Sequence, residues 1–277
     1  MRIVFPTAAA ALLLAASAQG ATTYPGMQST IKYSKSSTAA SGFGNYARAT
    51  SSVVYDPATD TYTLRDTGNL SLTASFGPAN IDSGASDATF TVYKKTLPGS
   101  TETFRLLNQS PTNPLIVLSY VDYGQWRRAT LVTGGTTNIN DTYVVFGSKT
   151  PGASVPLSGT ATYSTVLDGT FVNTTGNYAV SGTGGLTANF GAGTIAYNAT
   201  ASATPETTGV AFSFGTMTGA GMIAFRSAGF SGTGTTNGSG YSMDVWGNFY
   251  GPAVDEVGGL FRIRGNGGTG EGAIVGN

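Results

Sequence analysis

Cysteine and histidine are both missing from this chain of 277 residues. Without histidine it lacks the commonest general base and the commonest ligand for transition metals and haem. Without cysteine it has no thiolate nucleophile and no thiolate zinc site. Together these absences exclude most nucleophilic and zinc chemistry, so no enzyme is expected. Disulfides are excluded too, and a folded chain of this length must be held by its own core.

Charge is also scarce. Fourteen Lys and Arg face fourteen Asp and Glu, and charged residues make up 10% of the sequence. No bulk field is available to recruit nucleic acid or an anionic membrane. The few carboxylates form no recognisable centre. Asp255 and Glu256 are sequence neighbours, whereas a glycosidase pair faces itself across a substrate. Asp56 and Asp60 lack the alternating oxygen ligands and closing Glu of a calcium loop. The glycines at 182, 184 and 185 have no following Gly-Lys-Ser/Thr and no helix to cradle a phosphate, and are read as turns.

What the sequence does contain begins with a secretory pattern. Arg2 supplies a basic start, Val4 to Ala16 an apolar run, and Ala16, Ser17 and Ala18 a small-residue cleavage site. The run is shorter than the roughly 20 residues of a spanning helix. Residues 1–18 are therefore expected to be a signal peptide on an exported chain. No cysteine lies between Ala15 and Ala21 to accept a lipid, so no direct lipid anchor is expected.

Glycine is abundant, at 40 residues, about twice the usual share. Aromatics at 11% and hydrophobics at 40% are too high for a disordered chain, which leaves an all-β protein of many turns. Glycine is also unevenly placed, with 11 in residues 22–150 and 28 in residues 151–277. Basic residues run the other way, and only Arg226, Arg262 and Arg264 follow the break. The stretch from Gly147 to Pro156, with Pro151 between, is the natural joint. The expectation is two β domains, 19–150 and 151–277.

The second half alternates with period two, the pattern of half-buried strands. Leu186, Ala188 and Phe190 share one face, as do Ile195, Tyr197 and Ala199, then Val210, Phe212 and Phe214, then Tyr241, Met243 and Val245. Gly191 with Gly193, Gly219 with Gly221, and Gly265 to Gly268 are read as hairpin turns. About eight strands with short connections predict an antiparallel barrel. The first half is strand-rich but less regular. Tyr55 to Tyr62 reads as a turn, with Pro57 presetting φ and Asp56 bonding back to the backbone. Leu70, Leu72, Ala74 and Phe76 alternate, as do Phe90 and Val92. Leu115 to Val121 reads as a strand covered on both faces.

Towards the C-terminus one run is specific enough to carry a resemblance. Gly247, Phe249, Tyr250, Gly251, Pro252, Ala253, Asp255, Glu256, Gly258, Gly259 and Phe261, followed by a glycine-rich last strand, resemble the closing strands of bacterial transferrin-binding protein B barrels. Pro156 to Tyr163 is similar to that family's barrel start, and Leu186 to Phe190 to its inner strand. Asp122, Tyr123, Gly124 and Trp126, then Val145, Phe146 and Gly147, are similar to the end of the handle domain that precedes such a barrel. The resemblance implies a strand-rich handle-like domain followed by a roughly eight-stranded barrel. It implies a surface or secreted binding protein that captures a protein, iron or haem-type ligand, with an outer-membrane receptor or translocon as a further partner. Haem is the one cofactor it allows, although histidine is missing.

On physical grounds the closing motif is structural. Gly251 and Pro252 end a strand, Gly258 and Gly259 start the next without side chains to clash, and Glu256 is placed to bond exposed backbone amides. Trp126, Arg127 and Arg128 are the binding candidates, because Trp and Arg are enriched in interface hot spots. The rival architecture is an integral outer-membrane barrel of the porin or adhesin kind. Its strands run about 9–11 residues behind an outward apolar band. The strands here look shorter, and their outer positions are Thr, Ser and Asn.

Overall fold

A computed structural model describes residues 20–35, 40–41, 47–65, 72–132, 134–207 and 209–277. The signal-like segment and Leu70 lie outside the described residues.

The chain is all-β. Its first part is one antiparallel sheet built from β1 (Thr22–Lys35), β2 (Ala40–Ser41), β3 (Ala47–Asp56), β4 (Thr61–Arg65), β5 (Thr73–Phe76), β6 (Phe90–Leu97), β7 (Ser100–Leu107), β8 (Val121–Val132) and β9 (Thr136–Gly147). The strand order is β5-β4-β3-β1-β9-β8-β7-β6, with β2 on β1. The sheet curls until its edges nearly meet. Ile81 bridges to Tyr93, and Lys95 on β6 reaches the Ser75 carbonyl and the face of Phe76 on β5. Inside the curl sit Val53, Leu64, Phe76, Tyr93, Phe104, Trp126, Val144 and Phe146. The turn at Pro57 is as expected, with the Ala58 amide donating to Asp56 Oδ1 at 2.9 Å.

The second part is a closed barrel of β10 (Thr160–Asn173), β11 (Gly176–Asn189), β12 (Thr194–Pro205), β13 (Phe212–Ile223), β14 (Gly229–Thr236), β15 (Tyr241–Tyr250), β16 (Glu256–Gly265) and β17 (Gly268–Gly276). An eight-stranded barrel is just narrow enough for side chains to fill. Rings of Phe171, Tyr178, Phe212, Phe214 and Tyr241 pack one end, and Tyr163, Phe190, Phe230 and Phe249 the other. The hydroxyls of Tyr197 and Tyr163 donate to the carbonyls of Met243 and Val254, each at 2.6 Å, so the phenols are satisfied inside.

Three sequence expectations need correction. Gly219, Gly221, Gly182, Gly184 and Gly185 lie inside strands rather than in turns. At all of these but Gly185 close approach requires glycine: a Cβ at Gly221 would lie 1.9 Å from the Ser231 carbonyl oxygen, and one at Gly219 would enter the Tyr197 ring. The barrel strands are consequently longer than they looked, from 8 to 14 residues. Their outward positions are polar as expected, with Thr194, Asn198, Thr200, Ser202 and Thr204 exposed along β12.

Leu115 to Leu118 is not a strand, and β8 begins at Val121. Ile116 and Leu118 are buried while Leu115 and Val117 face out. Side chains rather than a neighbouring strand satisfy this backbone. Asn113 accepts from the Leu115 amide, Asn277 donates to the Val117 carbonyl, and Glu256 takes the amides that follow.

One side of the barrel is covered by the sheet. Tyr123, Tyr143 and Val145 from the sheet, with Ile116 and Leu118, bury themselves against Val166, Tyr250, Leu260, Ala273 and Val275 from the barrel's outer surface. Gly258 lets the two approach, since a Cβ there would lie 2.5 Å from Val121 and 2.9 Å from Val145.

Candidate functional site

The sequence-predicted binding residues fall in this seam and in the sheet's core. Alternation along β8 points Trp126 into the curl, where it is 3% exposed. Arg127, one residue on, points at the barrel. Its Nε and one terminal nitrogen donate to the two oxygens of Asp141 at 2.6 and 2.7 Å, and the same head group donates to Glu206 at 3.0 and 2.8 Å. Asp141 is fully buried and also accepts from Thr170 and Tyr33. Burial works against the charge of Arg127, but Asp141, Tyr33 and Glu206 together outweigh it and raise the pKa well above the ordinary value. Arg128 faces Glu102 at 3.8 Å. These three residues do not form one surface. Arg127 is a clamp between the sheet and the β12–β13 connection.

Further clamps repeat the arrangement along the seam. Arg105 on β7 donates to both oxygens of Asp168 on β10, at 2.7 and 2.6 Å, while stacking on Phe90. Ser29 on β1 donates at 2.5 Å to Glu271 on β17, which also receives Arg262 at 2.6 Å. Burial raises the pKa of Glu271, with Ser29 and Arg262 pulling the other way.

Glu256 occupies the end of the seam. Its carboxylate accepts the backbone amides of Ser119, Tyr120 and Val121 at 2.6, 2.8 and 2.9 Å. These amides belong to the segment entering β8, not to the neighbouring strands of the barrel. Gly247 and Gly259 lie in strands, where a Cβ would strike the Phe230 ring and the Trp246 carbonyl, and Phe249 and Phe261 fill the barrel. Gly251 takes φ +83° directly after β15, and Pro252 follows it into the loop. The whole closing motif sits in packing, turns and the seam.

Large apolar side chains are exposed at Leu131 on the sheet, at Val210 on the β12–β13 connection, and as a group of three at the opposite end of the barrel. The segment 152–159 crosses that rim, touching the β13–β14 loop near Gly152 and the β11–β12 loop near Gly191. It brings Leu157, Met222 and Phe225 to the same rim, 69, 70 and 83% exposed. Arg226, at φ +50°, lies over the Phe225 ring with its guanidinium 5.4 Å from the centroid. Period-two reasoning missed these residues because they stand at strand ends and in loops.

Neither a family model nor a curated protein matches the chain. Solved structures do. The fold is similar to that of transferrin-binding protein B lobes. The intact protein called Ap-TbpB, with N and C lobes, shares 12% identity over 92% of this chain and 76% of its own, with a TM-score of 0.48. The isotype 1 protein of serogroup B Neisseria meningitidis shares 17% over 90% of this chain and 43% of its own, at 0.45. The N-lobe domain of lactoferrin-binding protein B of Moraxella bovis shares 12% over 90% and 99%, at 0.39. At such identities the likeness is one of fold alone.

Proposed function

We propose that this chain is an exported bacterial binding protein that captures a protein ligand, at the cell surface or outside the cell, with the apolar rim of its barrel. The rim carries the reading. Leu157, Met222 and Phe225 expose large apolar side chains together, beside an arginine, on loops held by a rigid scaffold, which is the composition of a protein interface rather than of a bare surface. Arg105–Asp168 and Arg127–Glu206 join sheet and barrel, while Arg127–Asp141 lies within the sheet and Arg262–Glu271 within the barrel, so these charges are committed to the structure and leave the rim as the candidate surface. The similar proteins are named for binding transferrin and lactoferrin. An iron-carrying host protein is accordingly the first class of ligand to try, and an outer-membrane receptor or translocon would be a second partner.

The test uses the full chain exported from a Gram-negative host, with transferrin, lactoferrin and haemoglobin as immobilised probes. Saturable binding to one of them, weakened at least about tenfold in a Met222→Ser, Phe225→Ser double variant of unchanged circular dichroism, is expected. Undiminished binding by that variant overturns the assignment to the rim. Recovery of the protein only in detergent overturns the soluble binding protein in favour of the membrane barrel.

A further inference from the structure

A second concavity, lined by none of the rim residues, lies in the mouth of the curled sheet. It is a cavity of about 260 Å³, a little below the usual range for small-molecule sites. Its walls carry Tyr24 from β1, Tyr55 from β3, Tyr62 from β4, Tyr120 from the segment entering β8 and Phe146 from β9, around the carboxyl of Asp122. Tyr55 and Tyr62 stand side by side with ring centroids 4.7 Å apart, and Tyr24 and Phe146 face each other at 6.1 Å.

Asp122 is the unusual member. The alternation of β8 turns it into the curl beside Gly124 and Trp126, while Val121 and Tyr123 point at the barrel. It is 8% exposed, and its one hydrogen bond among the described residues comes from the neighbouring Tyr123 amide at 2.7 Å. No Lys or Arg pairs with it among the described residues, whereas the seam carboxylates Asp141, Asp168 and Glu271 all have a guanidinium. A buried carboxylate without a cation is costly, so such a group stays neutral unless a positive charge is brought to it.

From this geometry we infer that the mouth of the sheet binds a small organic cation, an alkylammonium or quaternary ammonium, with the aromatic rings around the positive head and Asp122 beneath it. Aromatic faces attract such cations through their quadrupoles, most strongly when water is excluded. The floor carboxyl supplies the countercharge. Burial raises the pKa of the Asp122 carboxyl well above the usual range. Entry of a cation favours the carboxylate, so the proton leaves Asp122 Oδ for solvent as the ligand binds, and affinity rises with pH. The other ionisable groups facing the site are the phenols of Tyr24, Tyr55, Tyr62 and Tyr120, with Tyr93 deeper in the curl. Asp60 is bonded to Tyr55, Glu256 is fixed on the 119–121 amides, and Lys149 follows the wall residue Ser148. Burial raises Tyr62 and Tyr93, so neither phenol supplies the titration.

Calorimetric titration of the full chain with choline, and with its neutral isostere in which tert-butyl replaces trimethylammonium, tests this. Choline is expected to bind at least about tenfold more tightly than the isostere, and more tightly as pH rises. Asp122→Asn is expected to remove that preference, and Tyr120→Leu, at the exposed lip, to weaken choline several-fold without altering the fold. The Met222→Ser, Phe225→Ser variant is expected to bind choline normally, which separates this site from the rim. Equal binding of choline and isostere, choline affinity unchanged in Asp122→Asn, or no choline heat at millimolar concentration from the folded chain each overturns the inference.

Discussion

At the residue scale the charges divide by partner. Glu256 satisfies three consecutive amides that no strand reaches, and charge-assisted bonds of this kind contribute about 1.5–3 kcal/mol each. Glu256→Ala is expected to lower unfolding free energy by about 3–5 kcal/mol, and Glu256→Gln by less, as read from urea denaturation. Asp122 acts in the opposite sense. Its folded pKa lies above the unfolded value of 3.8, so any stability it contributes is complete below that value and is lost as pH rises through the folded pKa. Asp122→Asn is therefore expected to match or exceed the wild type at neutral pH and to lose that advantage in acid. Urea midpoints at several pH values check the sign.

Strands show how far the sequence could be read. Period-two alternation marked the inner faces of β11, β12 and β15, because a half-buried strand imposes that pattern directly. Glycine was ambiguous. A turn needs it for positive φ, as at Gly193, and a crowded strand needs it for space, as at Gly221, and the letter is the same. Gly221→Ala separates the two uses. Its Cβ would meet the Ser231 carbonyl, so a loss of about 3 kcal/mol or more is expected, while Gly238→Ala, in an open turn at φ +86°, should cost about 1 kcal/mol. Thermal unfolding of both variants measures the difference. Leu115 to Val121 misled for a related reason: an apolar run reports burial, not which groups bond its backbone. The cation pocket was not legible at all. Its walls come from positions 24, 55, 62, 120 and 146, and only the fold makes them neighbours. Asp122 stood out in the sequence solely through a motif, with nothing local to show that no Lys or Arg among the described residues pairs with it.

For the whole molecule the seam is decisive. Val166, Tyr250, Leu260, Ala273 and Val275 form an apolar patch on the barrel's outside, and Asp168 and Glu271 bond to the sheet there. A barrel expressed alone would expose that patch together with carboxylates that have lost sheet partners. Residues 156–277 alone are expected to aggregate or bind a hydrophobic dye. The full chain is expected to melt in one calorimetric transition with equal calorimetric and van't Hoff enthalpies. Two separated transitions would mean that sheet and barrel are energetically independent.

The pairing of β1 with β9 and of β10 with β17 has a consequence for how such a chain comes into being. In each case the earliest strand waits for the latest: Gly26 meets Phe146, and Thr165 meets Gly276. The sheet cannot be joined at its middle, nor the barrel closed, until nearly all of their residues are available, and contacts so distant in sequence make folding slow. A polypeptide built this way stays open while it is being synthesised or threaded through a narrow channel. It commits to its shape only when the final strand arrives, and until then its apolar residues need an escort.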